Sequence, residues 1–170
     1  GTYQVRLTVD GVSQTQSFEL EMNPNESYTR AETHAKGEFW MRLYEKADEG
    51  VQAVLRAQAV QAEVKASAEA PGASAELQAQ AEAIDEIASE FIKSMVATGT
   101  TLVQIISEPT RPLSMLTTLH NILETSEGPP NEPLVEVFDR ASATIDEAIT
   151  SFDTALGPEM ERFRALAGEG

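Results

Sequence analysis

The side chains with the most chemical capacity in this sequence are its carboxylates. The chain has 28 acidic residues among 170, and two carboxylates at a suitable separation can act as general acid and base in glycoside hydrolysis. Acidic residues lie close together in the sequence as Asp85 with Glu86, Asp146 with Glu147, and Glu159 with Glu161. All three pairs fall on polar positions of helical patterns, and no cleft is indicated around them. We therefore interpret them as solvated helix faces and predict no catalytic residue and no enzyme activity in this segment.

The two histidines are the other candidates for chemistry. Neither His34 nor His120 has a Glu or His at the spacing of the H-E-x-x-H zinc motif. Structural zinc sites need about four ligands, and the chain has no cysteine to supply thiolates. His120 lies beside Leu116 and Leu123 in a helical pattern, which favours a packing role. We predict no metal and no cofactor.

The charge of the chain limits its partners. A net charge of −16 and a pI near 4.4 oppose binding to phosphate backbones and to anionic membrane surfaces. No run of about 18 apolar residues is present to span a bilayer. We expect a protein partner, no nucleic acid and no membrane span.

The N-terminal residues predict a β-hairpin. Apolar and polar residues alternate from Tyr3 to Val9, which is the period of a strand with one buried face. Asp10-Gly11 is typical of a type I′ turn, which places Val9 opposite Val12. The shared apolar face then carries Tyr3, Val5, Leu7, Val9, Val12, Phe18, Leu20 and Met22.

A hairpin of this kind is incomplete by itself. An isolated two-stranded ribbon is marginally stable in water, so its apolar face needs a sheet or a helix over it. The cover can come from the helices that follow, or from strands on another chain or another segment. Because the first strand begins almost at Gly1, we expect the chain to be a fragment of a larger protein.

The remainder of the chain predicts helices. A first helix spans about Thr29 to Ala68, either continuous or kinked near Gly37 or Gly50. Its expected core positions are Phe39, Leu43, Ala47, Val51, Val54, Leu55 and Ala62.

The other helices follow the same logic. Ser74 is a predicted N-cap for a helix that runs antiparallel to the first, and an irregular crossing from Leu102 to Pro112 precedes a third helix. A fourth helix follows Gly128-Pro129-Pro130-Asn131, and Gly157-Pro158 begins a short fifth turn. The later helices have expected core positions Leu77, Ala81, Ile84, Ala88, Phe91 and Met95, then Leu113, Leu116, Leu119 and Leu123, then Leu134, Phe138, Ala141, Ile145, Ile149, Phe152 and Leu156.

These elements predict a mainly α protein. Its fold is an antiparallel helical bundle of four to five helices, preceded by a β-hairpin that is the end of an immunoglobulin-like or fibronectin-like sandwich. We divide the chain into a hairpin at 1–24 and a helical bundle at 25–170.

Three stretches of the chain resemble the C-terminal region of large secreted bacterial sortilin-like proteins. They are GTYQVRLTVDGVSQTQSFELEMNPN, FWMRLYEKADEGVQAVLRAQ and PLSMLTTLHNILETSEGPPNEPLVEVFDRASATIDEAITSFDTALGPEMERFRAL. Proteins of that family carry sialidase-type (BNR) repeats folded as β-propellers and are often labelled glycosyl hydrolases. The resemblance implies a small sandwich after the propellers, a terminal helical segment, and a secreted, periplasmic or cell-surface location.

The predicted function is a non-catalytic structural or protein-interaction module. It would dock on a propeller, a partner subunit or a cell-surface assembly. The alternatives are an accessory region of a BNR-repeat glycosyl hydrolase-like enzyme and a self-assembling helical subunit. A carbohydrate ligand at the aromatic residues is a further alternative, to which we prefer a packing role. The candidate interface residues are Tyr3, Val5, Leu7, Phe18, Leu20, Phe39, Trp40 and Tyr44.

Overall fold

A computed structural model of the protein describes residues 1–25, 27–97 and 111–168. The chain is mainly helical with an N-terminal hairpin, as the sequence predicts. The elements are β1 (Thr2–Val9), β2 (Val12–Glu19), α1 (Arg30–Ala68), α2 (Ala75–Met95), α3 (Pro112–Thr125) and α4 (Glu132–Gly168). The predicted irregular crossing runs from Leu102 to Pro112, and its residues 102–110 lie outside the described part of the chain.

The hairpin has the predicted register. Val9 pairs with Val12 and Tyr3 pairs with Phe18 in an antiparallel ladder. Asp10 and Gly11 adopt φ angles of 50° and 81°, the positive values that a type I′ turn needs at both central residues. The turn dipeptide therefore fixes which side chains share each face.

Helix α1 is continuous over 39 residues, so the alternative of two helices joined by a kink does not apply. It begins with a capping box: the Glu32 amide donates to Thr29 Oγ1 at 3.3 Å, and the Thr29 amide donates to Glu32 Oε2 at 2.8 Å. The backbone hydrogen bond from Thr29 is the main reason that the pKa of Glu32 is lowered, with the Thr29 hydroxyl adding to it.

Side-chain pairs set the directions of the long helices. Helices α1 and α4 run parallel, because residues further along α1 pair with residues further along α4. The pairs are Arg42–Asp139 at 3.4 Å, Lys46–Asp146 at 2.8 Å and Arg56–Asp153 at 2.6 Å. Helix α2 runs antiparallel to α1, as predicted.

The third position of the bundle is filled by two helices in succession. Helix α2 lies beside the C-terminal half of α1, where Gln61 donates to Ser89 Oγ at 2.9 Å. Helix α3 lies beside the N-terminal half, where the Trp40 and His120 rings meet. Each cross-section of the bundle therefore contains three helices: α1, α4 and either α2 or α3. The side of α1 that faces away from the other two helices lies outside the core.

Gly50 lies where α1, α2 and α3 meet. It is buried, and a Cβ at this position would lie 2.8 Å from Leu113 Cδ2 and 3.2 Å from Met95 Cε. The absence of a side chain lets the end of α2 and the start of α3 approach the α1 backbone closely.

The core confirms the predicted seam of α2 and corrects that of α1. All six predicted α2 positions are buried. On α1, Val51 and Leu55 are 44% and 51% exposed, and Ala62 is also exposed, so their predicted burial is wrong. The predicted core positions Phe39, Leu43 and Val54 are buried. Gly50, Ala53 and Ala57 complete the seam, because small residues let the neighbouring helices approach.

Helix α4 passes through Pro158 without a break, so the predicted separate fifth turn is wrong. A proline inside a helix loses one backbone hydrogen bond. Buried side chains on both sides of it hold the helix in place: Phe152 stacks on Phe91 at 4.4 Å, and Met160 and Phe163 pack with α1 and α2 residues.

Candidate interaction surface

The acidic pairs noted in the sequence have structural partners on neighbouring helices. One member of each pair accepts a hydrogen bond that crosses between two helices. These bonds are Gln61 Nε2 to Asp85 Oδ1 at 2.8 Å, Lys46 Nζ to Asp146 Oδ1 at 2.8 Å, and Gln80 Nε2 to Glu159 Oε2 at 2.7 Å. The carboxylates therefore join helices, which is a structural role.

Lys46 is the basic centre of the largest of these contacts. Its ammonium group binds Glu49 Oε2 at 2.7 Å and Asp146 Oδ1 at 2.8 Å. Desolvation by itself lowers the pKa of Lys46, but the two carboxylates outweigh this effect, so the pKa is raised. Lys46 therefore remains protonated and acts as a cross-link between α1 and α4.

Both histidines lie on helix surfaces. The His120 ring packs edge-on against Trp40, with ring centroids 4.9 Å apart, and His34 Nδ1 lies 3.4 Å from Glu38 Oε1. Within residues 1–25, 27–97 and 111–168, no group of three or more His, Asp or Glu side chains could hold a metal ion.

The apolar face of the hairpin is bare. Val5, Leu7, Phe18 and Leu20 are 57%, 66%, 46% and 58% exposed. Of the two covers that the sequence leaves open, the described helices do not supply one, because they bury their apolar seams against one another. In the described part of the chain, no helix packs extensively on either strand.

The bare face is more apolar along β1 than along β2. Gln16 pairs with Val5, and Gln14 pairs with Leu7, so two amide side chains lie within the face. The opposite face is polar and has its own cross-strand bonds, such as Thr8 Oγ1 to Ser13 Oγ at 2.7 Å. The two faces therefore differ in chemistry, and only one of them is suited to burial.

The open end of the hairpin, where β1 begins and β2 ends, lies across a groove from the first turns of α1. We call this end the foot of the hairpin. Gly1 and Leu20 exchange backbone hydrogen bonds at 2.7 and 2.8 Å and close the ladder at this end. An open groove of about 770 Å³ separates the foot from the helix. Its apolar lining comes from Tyr3, Leu20 and Met22 on one side and from Gly37, Trp40 and Met41 on the other.

The predicted aromatic cluster on α1 is divided between the core and the surface. Phe39 is 3% exposed and packs edge-on against Phe138, with ring centroids 5.2 Å apart. Trp40 is half-buried between the groove and His120. Tyr44 is 63% exposed. Of the three, Tyr44 is the most available to a partner and Phe39 is a core residue.

A second exposed apolar surface lies on α1 and was missed by the sequence reasoning. We call it the outer stripe, and it consists of Met41, Tyr44, Val51 and Leu55, each 44–63% exposed. The signal was present as 3-4 spacing with Asp48 between Tyr44 and Val51. The same spacing is typical of a core seam, so it predicts burial for Val51 and Leu55, which are exposed.

None of the described helices combines the length and the apolar character that a membrane span requires. Comparison of the chain with protein-family models, with curated proteins and with solved structures gives no match in any of the three. Function is therefore inferred from the two exposed apolar surfaces, the hairpin face and the outer stripe.

Proposed function

We propose that this chain is a non-catalytic structural module that joins a larger protein assembly through the apolar face of its β-hairpin. The bare face is the observation that supports the proposal. Seven large apolar side chains are 46–69% exposed on the hairpin: Tyr3, Val5, Leu7, Val9, Val12, Phe18 and Leu20. Together they form a contiguous exposed apolar surface of the kind that marks an interaction site, and a standard protein interface takes roughly 800 Å² from each partner.

The best occupant of this face is a β-sheet of another domain or subunit. A sheet packs on a sheet at about 10 Å by interdigitating apolar side chains, and the β1 side of the hairpin offers such a row. Both edges of the two-stranded hairpin also have unpaired backbone groups in the described structure, which a partner strand can satisfy.

The resemblance to sortilin-like proteins agrees with this occupant. In such a protein, the cover is the remainder of a small sandwich that follows the β-propellers. The module then lies outside the cytoplasm, in a secreted, periplasmic or cell-surface protein.

The charge distribution favours the hairpin as the point of attachment. Only Arg6, Asp10 and Glu19 are charged among residues 1–20, whereas the whole chain has a net charge of −16. A partner that approaches the hairpin therefore meets little of the repulsion that an acidic surface exerts on another acidic protein.

Site-specific photocross-linking tests this proposal. A photoreactive amino acid is placed at Leu7 or Phe18 on the apolar face and, as a matched control, at Thr8 or Ser17 on the polar face, with the protein expressed in its native cells. We expect both apolar-face positions to cross-link to the same extended segment, identified by mass spectrometry. Equal cross-linking from the two faces, or none from Leu7 and Phe18, would refute the proposal.

A further inference from the structure

We infer that the outer stripe of α1 is a docking site for an amphipathic helix that presents a basic residue to Asp48. The stripe adjoins the hairpin only at Met41, which also lines the groove at the hairpin foot, and the inference does not depend on the proposed function. The stripe lies on the side of α1 opposite its buried seam. Apart from Ile122, it holds every exposed large apolar side chain of the described helices.

The spacing of the stripe is that of a coiled-coil seam. Met41, Tyr44, Asp48, Val51 and Leu55 follow one another at intervals of three, four, three and four residues. Alternation of three and four places successive side chains along one line of a helix. The line is about 21 Å long at 1.5 Å per residue, and four of its five side chains are apolar. A helix is the partner that matches this repeat.

Asp48 lies in the middle of the seam and determines which helix fits. Its side chain is exposed, and its carboxylate accepts a hydrogen bond from Gln52 Nε2 at 3.4 Å. A partner helix laid along the stripe would cover this carboxylate. A buried carboxylate without a cation is costly, so the facing position must carry Lys or Arg. A single polar residue in an apolar seam also specifies register and partner.

The same residue argues against a second copy of the chain as the occupant. In a parallel pair of α1 helices, Asp48 would face Asp48, which brings like charges together. In an antiparallel pair, it would face Val51 or Tyr44, which buries a carboxylate without a partner. The net charge of −16 on each copy adds repulsion at longer range.

The flank of the stripe favours the same chemistry. Glu45 is exposed beside Tyr44, whereas the basic residues that border the stripe, Arg42, Lys46 and Arg56, are paired with carboxylates of α4. Flanking charges at such positions select the orientation of a partner helix. A helix with an apolar seam, a central Lys or Arg and basic flanks is therefore complementary in both shape and charge.

Two synthetic peptides and the full chain test this inference. Each fluorescein-labelled 21-residue helical peptide has Leu at its seam positions, with a central Lys in one peptide and a central Glu in the other. We expect fluorescence anisotropy to show that the Lys peptide binds the chain at least about tenfold more tightly than the Glu peptide. The Asp48→Lys variant should reverse this preference.

Matched variants separate the stripe from the rest of the molecule. Glu82→Lys makes the same charge change at an exposed position of α2, and Leu7→Ala alters the hairpin face. Both variants should bind the peptides as the unmodified chain does. A failure of the stripe inference is therefore distinguishable from a failure of the hairpin proposal. Equal binding of the two peptides, binding of neither, or equal effects of Asp48→Lys and Glu82→Lys would overturn the inference. So would a dimer in sedimentation that Leu55→Lys dissociates, because the occupant would then be a second copy.

Discussion

A pair of identical substitutions tests whether the hairpin face is bare in solution. Leu7 in β1 is 66% exposed, whereas Leu116 in α3 is 1% exposed. Replacing each by alanine removes the same atoms from two different environments. The difference between the two losses of stability therefore measures burial directly.

The expected magnitudes follow from the exposures. Complete burial of a leucine side chain stabilises a protein by about 1.5–3 kcal/mol, and Leu7 has only a third of its surface covered, so Leu7→Ala should cost at most about 1 kcal/mol. Leu116 lies in the main core cluster, where removal of a leucine side chain leaves a cavity and costs about 2–5 kcal/mol.

Urea unfolding followed by circular dichroism at 222 nm measures how each substitution affects the helical bundle, because this signal reports the helices; a substitution on a hairpin that does not pack on the bundle changes it little. Because the free energy of unfolding of a small protein falls by about 1–3 kcal/mol per molar urea, a loss of a few kcal/mol moves the midpoint by about 1 M or more. Leu116→Ala should therefore show a large shift and Leu7→Ala a small one. A loss of 2 kcal/mol or more for Leu7→Ala would refute the reasoning, since the hairpin face would then be covered in the isolated protein.

Further predictions concern the helices. Gly50→Val should destabilise the bundle by about 1–3 kcal/mol by overpacking, whereas Gly37→Ala, where a Cβ has no neighbour within 4 Å, should stabilise it by about 0.5–1 kcal/mol; urea unfolding measures both. Pro158→Ala should stabilise α4 by about 1–3 kcal/mol because a backbone hydrogen bond is restored, and an unchanged urea midpoint would contradict this. NMR titration should show a lowered pKa for Glu32 that Thr29→Val returns towards its ordinary value. Because the folded pKa is lowered, the stability from this cap is present above the unfolded pKa of about 4.3 and is lost as pH falls through the folded pKa.

Local chemistry made much of the fold predictable. Asp10-Gly11 determines the hairpin register because a type I′ turn needs positive φ at both central residues, and few residue pairs tolerate this as well as Asp-Gly does. Ser74 began α2 as predicted, with its hydroxyl accepting from the Leu77 amide at 3.1 Å. In each case, the signal lies within a few residues of the feature that it determines.

Tertiary packing decided the features that were predicted wrongly. Large apolar residues such as Val51 and Leu55 suggested the core face of α1, but close helix packing selected Gly50 and Ala57. Pro158 suggested a helix end, but packing on both sides kept α4 continuous. The size of a side chain and its local helix propensity do not indicate which face of a helix the neighbouring helices will pack against.

The candidate surfaces were predictable in part. The apolar character of the hairpin face follows from alternation alone, whereas the aromatic cluster of Phe39, Trp40 and Tyr44 gives no sign of which of the three side chains is exposed. The outer stripe could not be separated from the core by spacing, because both follow a 3-4 repeat on the same helix. Only the packing of α2, α3 and α4 around the other side of α1 distinguishes them.

Hydrogen exchange of the hairpin tests the central claim most directly. Amides of residues 2–19 are compared by mass spectrometry in the isolated chain and in the native protein purified from its source through an antibody to α4. We predict fast exchange in the isolated chain and protection that rises by about a hundredfold or more in the native material, because a covered sheet opens rarely. Equally fast exchange in both samples would contradict the claim that the hairpin face is where this module joins its assembly.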